Sequence, residues 1–219
     1  MARKIPEGEF RNKEKTKLKL INAVGEIIRT EGYTKLGVNN IANKADVSKK
    51  LIYRYFETAE NLIETYVRGK DYWLTFNTAV DKMVAEHQVN FGKDLAVSIL
   101  ENFFHHLQTV PEMQKVILWE ISEKNTLMQE VSAVRERFGS DLFKMTDPLF
   151  DGTDVDLRAV YALLLGGIYY LTLHSNASGG GFCEINMETV EGKNRIIKAF
   201  KYIASHVFEE AENQQKKKK

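Results

Sequence analysis

The fold of this chain is decided by residues 31–62, EGYTKLGVNNIANKADVSKKLIYRYFETAENL. Apolar residues spaced three and four apart predict a preceding helix over 14–31, and Gly32 follows it as a left-handed terminator. Asp46 is one of the few residue types that tolerates the positive φ a tight turn between helices needs. Ser48 is a good N-cap for the helix after that turn. The stretch therefore predicts a helix, a tight turn and a second, short helix.

The helix after the turn carries more cations and phenols than a core helix would. Ile52 and Phe56 lie four residues apart and are predicted to face inward. The outward side chains are Lys49, Lys50, Tyr53 and Arg54. A short basic helix held by a turn against a support helix is how many proteins enter the DNA major groove. Taken alone, the two lysines fit a merely solvated helix face equally well.

The distribution of charge separates the start of the chain from the rest. The 219 residues have a net charge of +1, with 43% hydrophobic and 28% charged residues, which is ordinary globular composition. Residues 1–60 hold 13 Lys and Arg against 8 Asp and Glu, whereas residues 61–215 hold 14 against 22, and four lysines follow. A basic head on an acidic body indicates an anionic partner for the head, unless the asymmetry arose by chance.

Several classes of protein are disfavoured by the sequence. The single cysteine, Cys183, excludes a disulfide framework within the chain and fits a reducing compartment. No apolar run approaches the roughly 20 residues of a membrane helix, and the start is not a signal peptide. His105 and His106 point about 100° apart on a helix, and no zinc motif or phosphate-binding glycine loop accompanies them. We therefore expect a cytoplasmic protein without membrane association, metal, cofactor or enzymatic activity.

The remainder of the chain is also predicted to be helical. Thr58 caps a fourth helix, and glycine and proline separate further helical candidates at roughly 93–109, 112–124, 126–146, 154–177 and 187–212. The expected fold class is all-α, with an N-terminal helix-turn-helix domain of three helices followed by a helical domain. The expected boundaries are 1–57 for the first domain, 58–213 for the second and 214–219 for a disordered lysine tail.

Two features of the second domain point to binding surfaces. An aromatic-rich set is either core or the lining of a pocket for a flat ligand, and its pocket candidates are Trp73, Phe76, Phe103, His106, Trp119 and Tyr169. The glycine pair 166–167 inside a helix costs about 1 kcal/mol per glycine, so a close helix approach at a dimer seam or a cavity wall should compensate. The dimer candidates are Leu164, Gly167, Ile168, Ile196 and Phe200.

LINAVGEIIRTEGYT and VNNIANKADVSKKLIYRYFETAENL resemble the N-terminal DNA-binding domain of the TetR family of transcriptional regulators over residues 18–64. The resemblance implies about nine helices, a homodimer joined mainly by the last two helices, and a palindromic operator in double-stranded DNA. It also implies a cavity for a small-molecule effector in the second domain. The DNA-contacting positions it implies are Asn39, Ser48, Lys49, Lys50, Leu51, Tyr53, Arg54 and Tyr55.

The chain departs from the family pattern at two positions. Asp46 stands where glycine is usual, and Ala59 stands where a phosphate-binding lysine is usual. The arm residues Arg3, Lys4 and Arg11 offer alternative phosphate contacts. The expected function is a repressor released from its operator by a small molecule. The alternative is a dimeric DNA-binding factor whose second domain binds a protein instead of a small ligand.

Overall fold

The computed structural model describes residues 7–73, 89–179 and 181–218. Within these ranges the chain forms nine α-helices and no strand beyond an isolated bridge between Phe182 and Ile185. The helices are α1 (Glu7–Thr30), α2 (Val38–Lys44), α3 (Lys50–Phe56), α4 (Ala59–Lys70), α5 (Lys93–Thr109), α6 (Pro111–Ser122), α7 (Thr126–Phe150), α8 (Leu157–Ser178) and α9 (Val190–Lys217). The predicted all-α class, with an N-terminal helix-turn-helix, is confirmed.

The described residues fall into two compact units. The head unit takes in the described residues up to Asp71 together with Pro111–Val131, and the body unit takes in those of Tyr72–Val110 and Ser132–Lys219. Helix α6 and the first residues of α7 therefore belong to the head, although they follow α5 of the body in sequence. The domain boundaries expected from the sequence, at 57 and 213, remain a prediction, because a compact unit need not be an independently folding one.

The head unit is organised around α1. Its inward side chains Leu20, Val24 and Ile27 are fully buried, as their spacing predicts. Gly32 ends the helix with a φ of +86°, and the N–H groups of residues 31 and 32 both donate to the Ile27 carbonyl. The side chain of Thr58 accepts a hydrogen bond of 3.0 Å from the N–H of Asn61 and caps α4. These contacts fix where α1 ends and where α4 begins.

Helix α6 completes the packing of the head unit. It packs against α1 and α4, and its Met113, Val116 and Ile117 are buried. The ring of Trp119 stacks on that of Tyr33, with centroids 5.4 Å apart and planes inclined by 11°. The head therefore contains more than a three-helix domain, because a fifth helix buries part of its core.

The body unit is built on α5, which packs against both α8 and α9. Phe103, Phe104 and Phe208 are fully buried in it. Thr189 caps α9 by accepting a hydrogen bond of 3.0 Å from the N–H of Gly192. Helix α9 continues to Lys217, past the point at which the sequence predicts a disordered tail.

Helix α8 is unusually apolar for a helix of a globular unit. Leu157–Ser178 is the one helix in the described ranges that is long and apolar enough to cross a membrane, and 28% of its most apolar window is buried. The sequence-based expectation of no such segment is therefore too strict. A single helix of this kind also occurs in soluble proteins, so its exposed apolar face requires another explanation.

Candidate nucleic-acid interface and ligand cavity

The turn between α2 and α3 has the geometry that its sequence predicts. Asp46 adopts a φ of +52°, and its N–H donates to the Asn43 carbonyl at 3.1 Å. The next N–H, that of Val47, donates to the Ala42 carbonyl at 3.1 Å. Ser48 lies just ahead of α3, and its hydroxyl accepts a hydrogen bond of 3.4 Å from the N–H of Lys50. A short, doubly hydrogen-bonded turn thus fixes where α3 begins.

Helix α3 buries one side and exposes the other. Ile52 is fully buried and packs in the head together with Ile41 of α2, whereas Phe56 is only half-buried. The exposed residues of the predicted DNA-binding set are Asn39, Ser48, Lys49, Lys50, Tyr53 and Arg54, and the half-buried ones are Leu51 and Tyr55. The structure therefore gathers the whole set on α2, α3 and the turn between them.

Two contacts order cationic side chains on this surface. The ammonium of Lys49 lies 3.5 Å from the amide oxygen of Asn39. The start of α3 and the outer side of α2 therefore present these two groups together. The ring of Tyr55 has two cations near it, with Lys13 Nζ at 5.9 Å and the guanidinium carbon of Arg54 at 5.8 Å from its centroid. Such cation–π pairs hold charges close without neutralising them. Lys13 of α1 thus joins the basic surface, a role the sequence pattern did not indicate.

A polar network joins the end of α1 to α2. One carboxylate oxygen of Glu31 accepts a hydrogen bond of 3.1 Å from the amide of Asn40, and the other lies 3.0 Å from the ammonium of Lys44. The Asn40 hydrogen bond, followed by that of Lys44, lowers the pKa of the Glu31 carboxyl. The network holds the support helix against α1 from the side.

The position of the missing phosphate anchor is closed to solvent. Ala59 is the first residue of α4 and is 6% exposed.

Glu57, at the end of α3, has a strained backbone that the sequence analysis did not predict. Its φ is +69°, a conformation that glutamate rarely adopts. Glutamate is not a residue type that indicates a positive φ, so the sequence does not point to this strained residue.

A cavity lies within the body unit. Its described lining is almost entirely apolar, and it comprises Trp73, Gly92, Leu95, Ala96, Ile99, Leu100, Gly139, Leu142, Phe143, Met145, Thr146, Leu157, Tyr161 and Leu165. Of the ligand candidates from the sequence, Trp73 alone is among these residues. The aliphatic lining escaped sequence analysis because aliphatic residues at helical spacing are the ordinary signature of a core.

The other ligand candidates lie in different surroundings. Phe103 is fully buried and touches the rings of Trp73 and Tyr169, with centroids 4.9 and 5.4 Å away. His106 packs on Tyr72 at 5.2 Å, and burial raises the pKa of that phenol to about 12. Trp119 belongs to the head unit. Phe76 lies outside the described residues. The pocket set predicted from the sequence is therefore divided between a cavity wall, an aromatic cluster and the head.

The residues predicted at a dimer seam point into the body unit. Leu164, Ile168, Ile196 and Phe200 are at most 8% exposed, and Gly167 is half-buried. The large exposed apolar residues of α8 and α9 are instead Leu163, Tyr170, Val190, Tyr202 and Ile203. A Cβ added at position 166 or 167 would meet nothing within 4 Å among the described residues, so close packing against them does not explain the glycine pair.

The fold and the basic α2–α3 surface define a helix-turn-helix protein with a separate helical body. A family model described as bacterial regulatory proteins of the tetR family matches residues 20–66, the part of the chain that carries this surface. Residues 20–66 therefore form a DNA-binding domain of the kind found in regulators of the TetR family. A comparison with curated proteins gives no match.

Solved structures agree with this fold. A crystal structure of the HlyIIR mutant protein with residues 170–185 substituted by alanine has a TM-score of 0.50 and 16% identity, covering 85% of this chain and 97% of that chain. A second HlyIIR mutant, with residues 169–186 substituted by a GSSGSSG linker, also has a TM-score of 0.50, with 14% identity and coverage of 85% and 95%. At these identities the likeness concerns the fold alone.

Proposed function

We propose that the protein is a transcriptional repressor that binds a palindromic operator in double-stranded DNA as a homodimer and leaves it when a small molecule binds the body. The observation that carries the proposal is the exposed set of Lys49, Lys50, Tyr53 and Arg54 on α3. In this arrangement α3 enters the major groove while the lysines neutralise phosphates and the tyrosine reaches base edges. Lys13 supplies a further cation beside Tyr55.

The dimer contact is assigned to the exposed apolar side of α8 and α9. Leu163 is 78% exposed, Tyr170 52% and Tyr202 63%, although all three are large apolar side chains. A second copy covering this face would remove the apolar area from water, which also accounts for the membrane-like composition of α8. A two-fold dimer presents two copies of α3, so the operator is expected to be palindromic, with half-sites about 34–36 Å apart or slightly more.

Release from DNA is assigned to the cavity of the body unit. Its apolar lining is typical of sites that bind small molecules. A ligand can bind more tightly to a conformer in which the two heads are wrongly spaced for the operator. Operator binding is then weakened by the difference in the ligand's binding free energy between the two conformers, and by no more. Repression is favoured over activation because blocking a promoter needs no further contact surface.

The central test is selection of bound fragments from random duplex DNA, followed by binding measurements on the Lys49→Ala/Lys50→Ala variant. We expect a palindrome to be enriched. We expect the double variant to lose affinity for it at least tenfold near 0.1 M salt, because each phosphate contact contributes about 0.9 to the slope of log K against log[salt]. The slope itself should fall by up to about 2 for each subunit.

The matched control replaces Lys115 and Lys124, two exposed lysines of the head unit, with alanine. It changes the net charge equally and should leave the slope nearly unchanged. Equal losses in both variants would mean that net charge alone drives binding. A fall in melting temperature for the first variant would mean that Lys49 and Lys50 are structural.

The proposed release by a small ligand has a separate test. Thermal unfolding of the full chain against a library of metabolites and drugs should reveal compounds that raise the melting temperature, and these should lower operator affinity. Compounds that stabilise the protein without affecting DNA binding would contradict the release mechanism. If no compound acts, the alternative of a body that binds a protein partner is favoured.

A further inference from the structure

The cavity of the body unit has a chemical character of its own. Its described lining contains the aliphatic side chains of Leu95, Ile99, Leu100 and Leu142 and the aromatic rings of Trp73, Phe143 and Tyr161. No acidic or basic side chain is among the described lining residues. An ion entering such a space would lose its hydration without gaining a partner, which is costly. The wall thus selects against charged molecules and favours flat or branched apolar ones.

One lining residue carries an unused polar group. Tyr161 of α8 is 7% exposed, and its hydroxyl is buried without a hydrogen-bond partner among the described residues. Its ring meets that of Phe143 edge to face, with centroids 6.1 Å apart, so the ring is held by packing. Burial raises the pKa of the phenol above its ordinary value, which keeps it a neutral donor at physiological pH. The other hydroxyl of the lining, that of Thr146, already donates to the Phe143 carbonyl at 2.9 Å.

A buried polar group without a partner is unusual in a native protein and asks for an explanation. Phenylalanine at position 161 would fill the same space and leave nothing unsatisfied. The phenol is explained when a ligand accepts its hydrogen bond inside the cavity, since few polar groups in an apolar pocket ordinarily fix a ligand's orientation. The cost of the unmade bond in the empty protein then becomes a gain in ligand affinity.

We propose that the body cavity binds a small, neutral, largely apolar molecule with one hydrogen-bond-accepting oxygen, and that the Tyr161 hydroxyl donates to that oxygen. The proposal rests on the proposed function in so far as this molecule is the effector that releases DNA. The ligand class itself depends on the cavity alone, which allows a test without DNA.

Three probes of one shape separate the contributions. Acetophenone carries a carbonyl oxygen, α-methylstyrene has a methylene group in its place, and benzoate is charged. Titration calorimetry on the full-length protein should show binding of the first two and little binding of benzoate. Tyr161→Phe should weaken acetophenone binding by about 2- to 10-fold, the range of a single neutral hydrogen bond, and leave α-methylstyrene unchanged or slightly tighter.

Two further variants serve as controls for this experiment. Tyr33→Phe removes the hydroxyl of a tyrosine in the head unit, which does not line the cavity, and should alter neither affinity. Ala96→Phe fills the cavity and should abolish binding of every probe, with helicity checked by circular dichroism. The proposal is overturned if Tyr161→Phe weakens both neutral probes equally or neither, if benzoate binds best, or if no probe binds. Because operator selection is measured separately, any of these results leaves the DNA-binding proposal standing.

Discussion

At the scale of single residues, Gly25 makes room for the ring of Tyr66 in the head unit. A Cβ at position 25 would lie 2.5 Å from Tyr66 Cε2, and Tyr66 is 4% exposed, so the ring has little space to withdraw. We expect Gly25→Ala to lower the free energy of unfolding by about 1–3 kcal/mol through overpacking, despite the better helix propensity of alanine. Urea denaturation of the full chain measures the change.

The control for this substitution is Gly69→Ala in α4, where an added Cβ meets no described residue within 4 Å. That variant should be neutral or slightly stabilised. If both variants gain stability, the ring of Tyr66 moves aside more easily than its burial indicates.

Glu31 gives the head a specific dependence on pH. Its hydrogen bonds from Asn40 and Lys44 lower the pKa of the carboxyl in the folded state below its usual value of 4.5. A carboxyl whose pKa is lower in the folded state than in the unfolded state stabilises the fold. This stabilisation is fully present at a pH above the pKa of the unfolded state, and it is lost as the pH falls through the pKa of the folded state. The melting temperature of wild type should therefore exceed that of Glu31→Gln at pH 6–7, and the difference should shrink as the pH falls below about 4.5.

Thermal melts across this pH range test the expectation, with Glu123→Gln as a matched neutralisation of an exposed carboxylate in the same unit. The control should differ little from wild type at any pH. A Glu31→Gln difference that persists unchanged at pH 3 would assign the effect to the shape of the side chain instead of its charge.

The sequence predicts those residues whose conformation follows from their own chemistry. Asp46 and Thr58 are examples, because a short polar side chain either tolerates a positive φ or caps a helix wherever it occurs. Glu57 and Gly25 are not predictable in this way. The closeness of Gly25 to Tyr66 depends on how α1 and α4 pack. Glu57 adopts a positive φ that its residue type rarely takes, so its identity gives no signal.

At the scale of elements, the end of α9 holds the α7–α8 loop. The side-chain amide of Gln215 donates to the carbonyls of Leu149 at 3.0 Å and Asp151 at 2.8 Å, and Gln214 accepts from the N–H of Asp154 at 2.9 Å. The composition of this tail predicts disorder, since glutamine and lysine repeats supply no apolar face. The partners are backbone carbonyls and one backbone N–H, which are present in every sequence and so leave no signal.

We expect Gln215→Ala to lower the free energy of unfolding by about 1 kcal/mol or slightly more. A hydrogen bond usually contributes about 1 kcal/mol net, and the substitution also leaves two carbonyls unpaired. Hydrogen exchange of the amides at 149–154 should accelerate at the same time. Lys217→Ala, two residues further along the same helix and exposed, is the control. Unchanged exchange in Gln215→Ala would mean that the loop holds itself.

Helix α8 illustrates a limit of reading periodicity. A helix that is apolar on most of its surface shows no single stripe, so the sequence cannot tell which face meets the core. The glycine pair drew attention to Leu164 and Ile168, which are buried in the body, whereas Leu163 is exposed. Adjacent positions on a helix differ by about 100°, which separates the two faces. Only packing against α5 and α9 distinguishes them.

At the scale of the whole molecule, the proposed homodimer depends on that exposed face. Leu163→Glu places a charge where a second copy is expected to cover an apolar surface, so the dimer dissociation constant should rise at least tenfold. Sedimentation equilibrium over a range of concentrations measures it. Operator affinity should fall in parallel, because two heads on one dimer bind with an avidity that single heads lack.

Ile121→Glu in α6 is the matched control, since Ile121 is 66% exposed but belongs to the head unit. It should leave the dimer unaffected. If Leu163→Glu remains as dimeric as wild type, the exposed apolar face of α8 serves some other partner and the dimer seam lies elsewhere.

The placement of α6 in the head has a consequence for anyone who recombines this chain. The head is a discontinuous module: its sequence is interrupted by α5, and its core includes Met113, Val116 and Ile117. A chimera made by grafting residues 1–71 onto a foreign body would leave behind the helix that covers α1 and α4. Transplanting the DNA specificity of this protein therefore requires carrying residues 111–131 along, or replacing only the surface of α3.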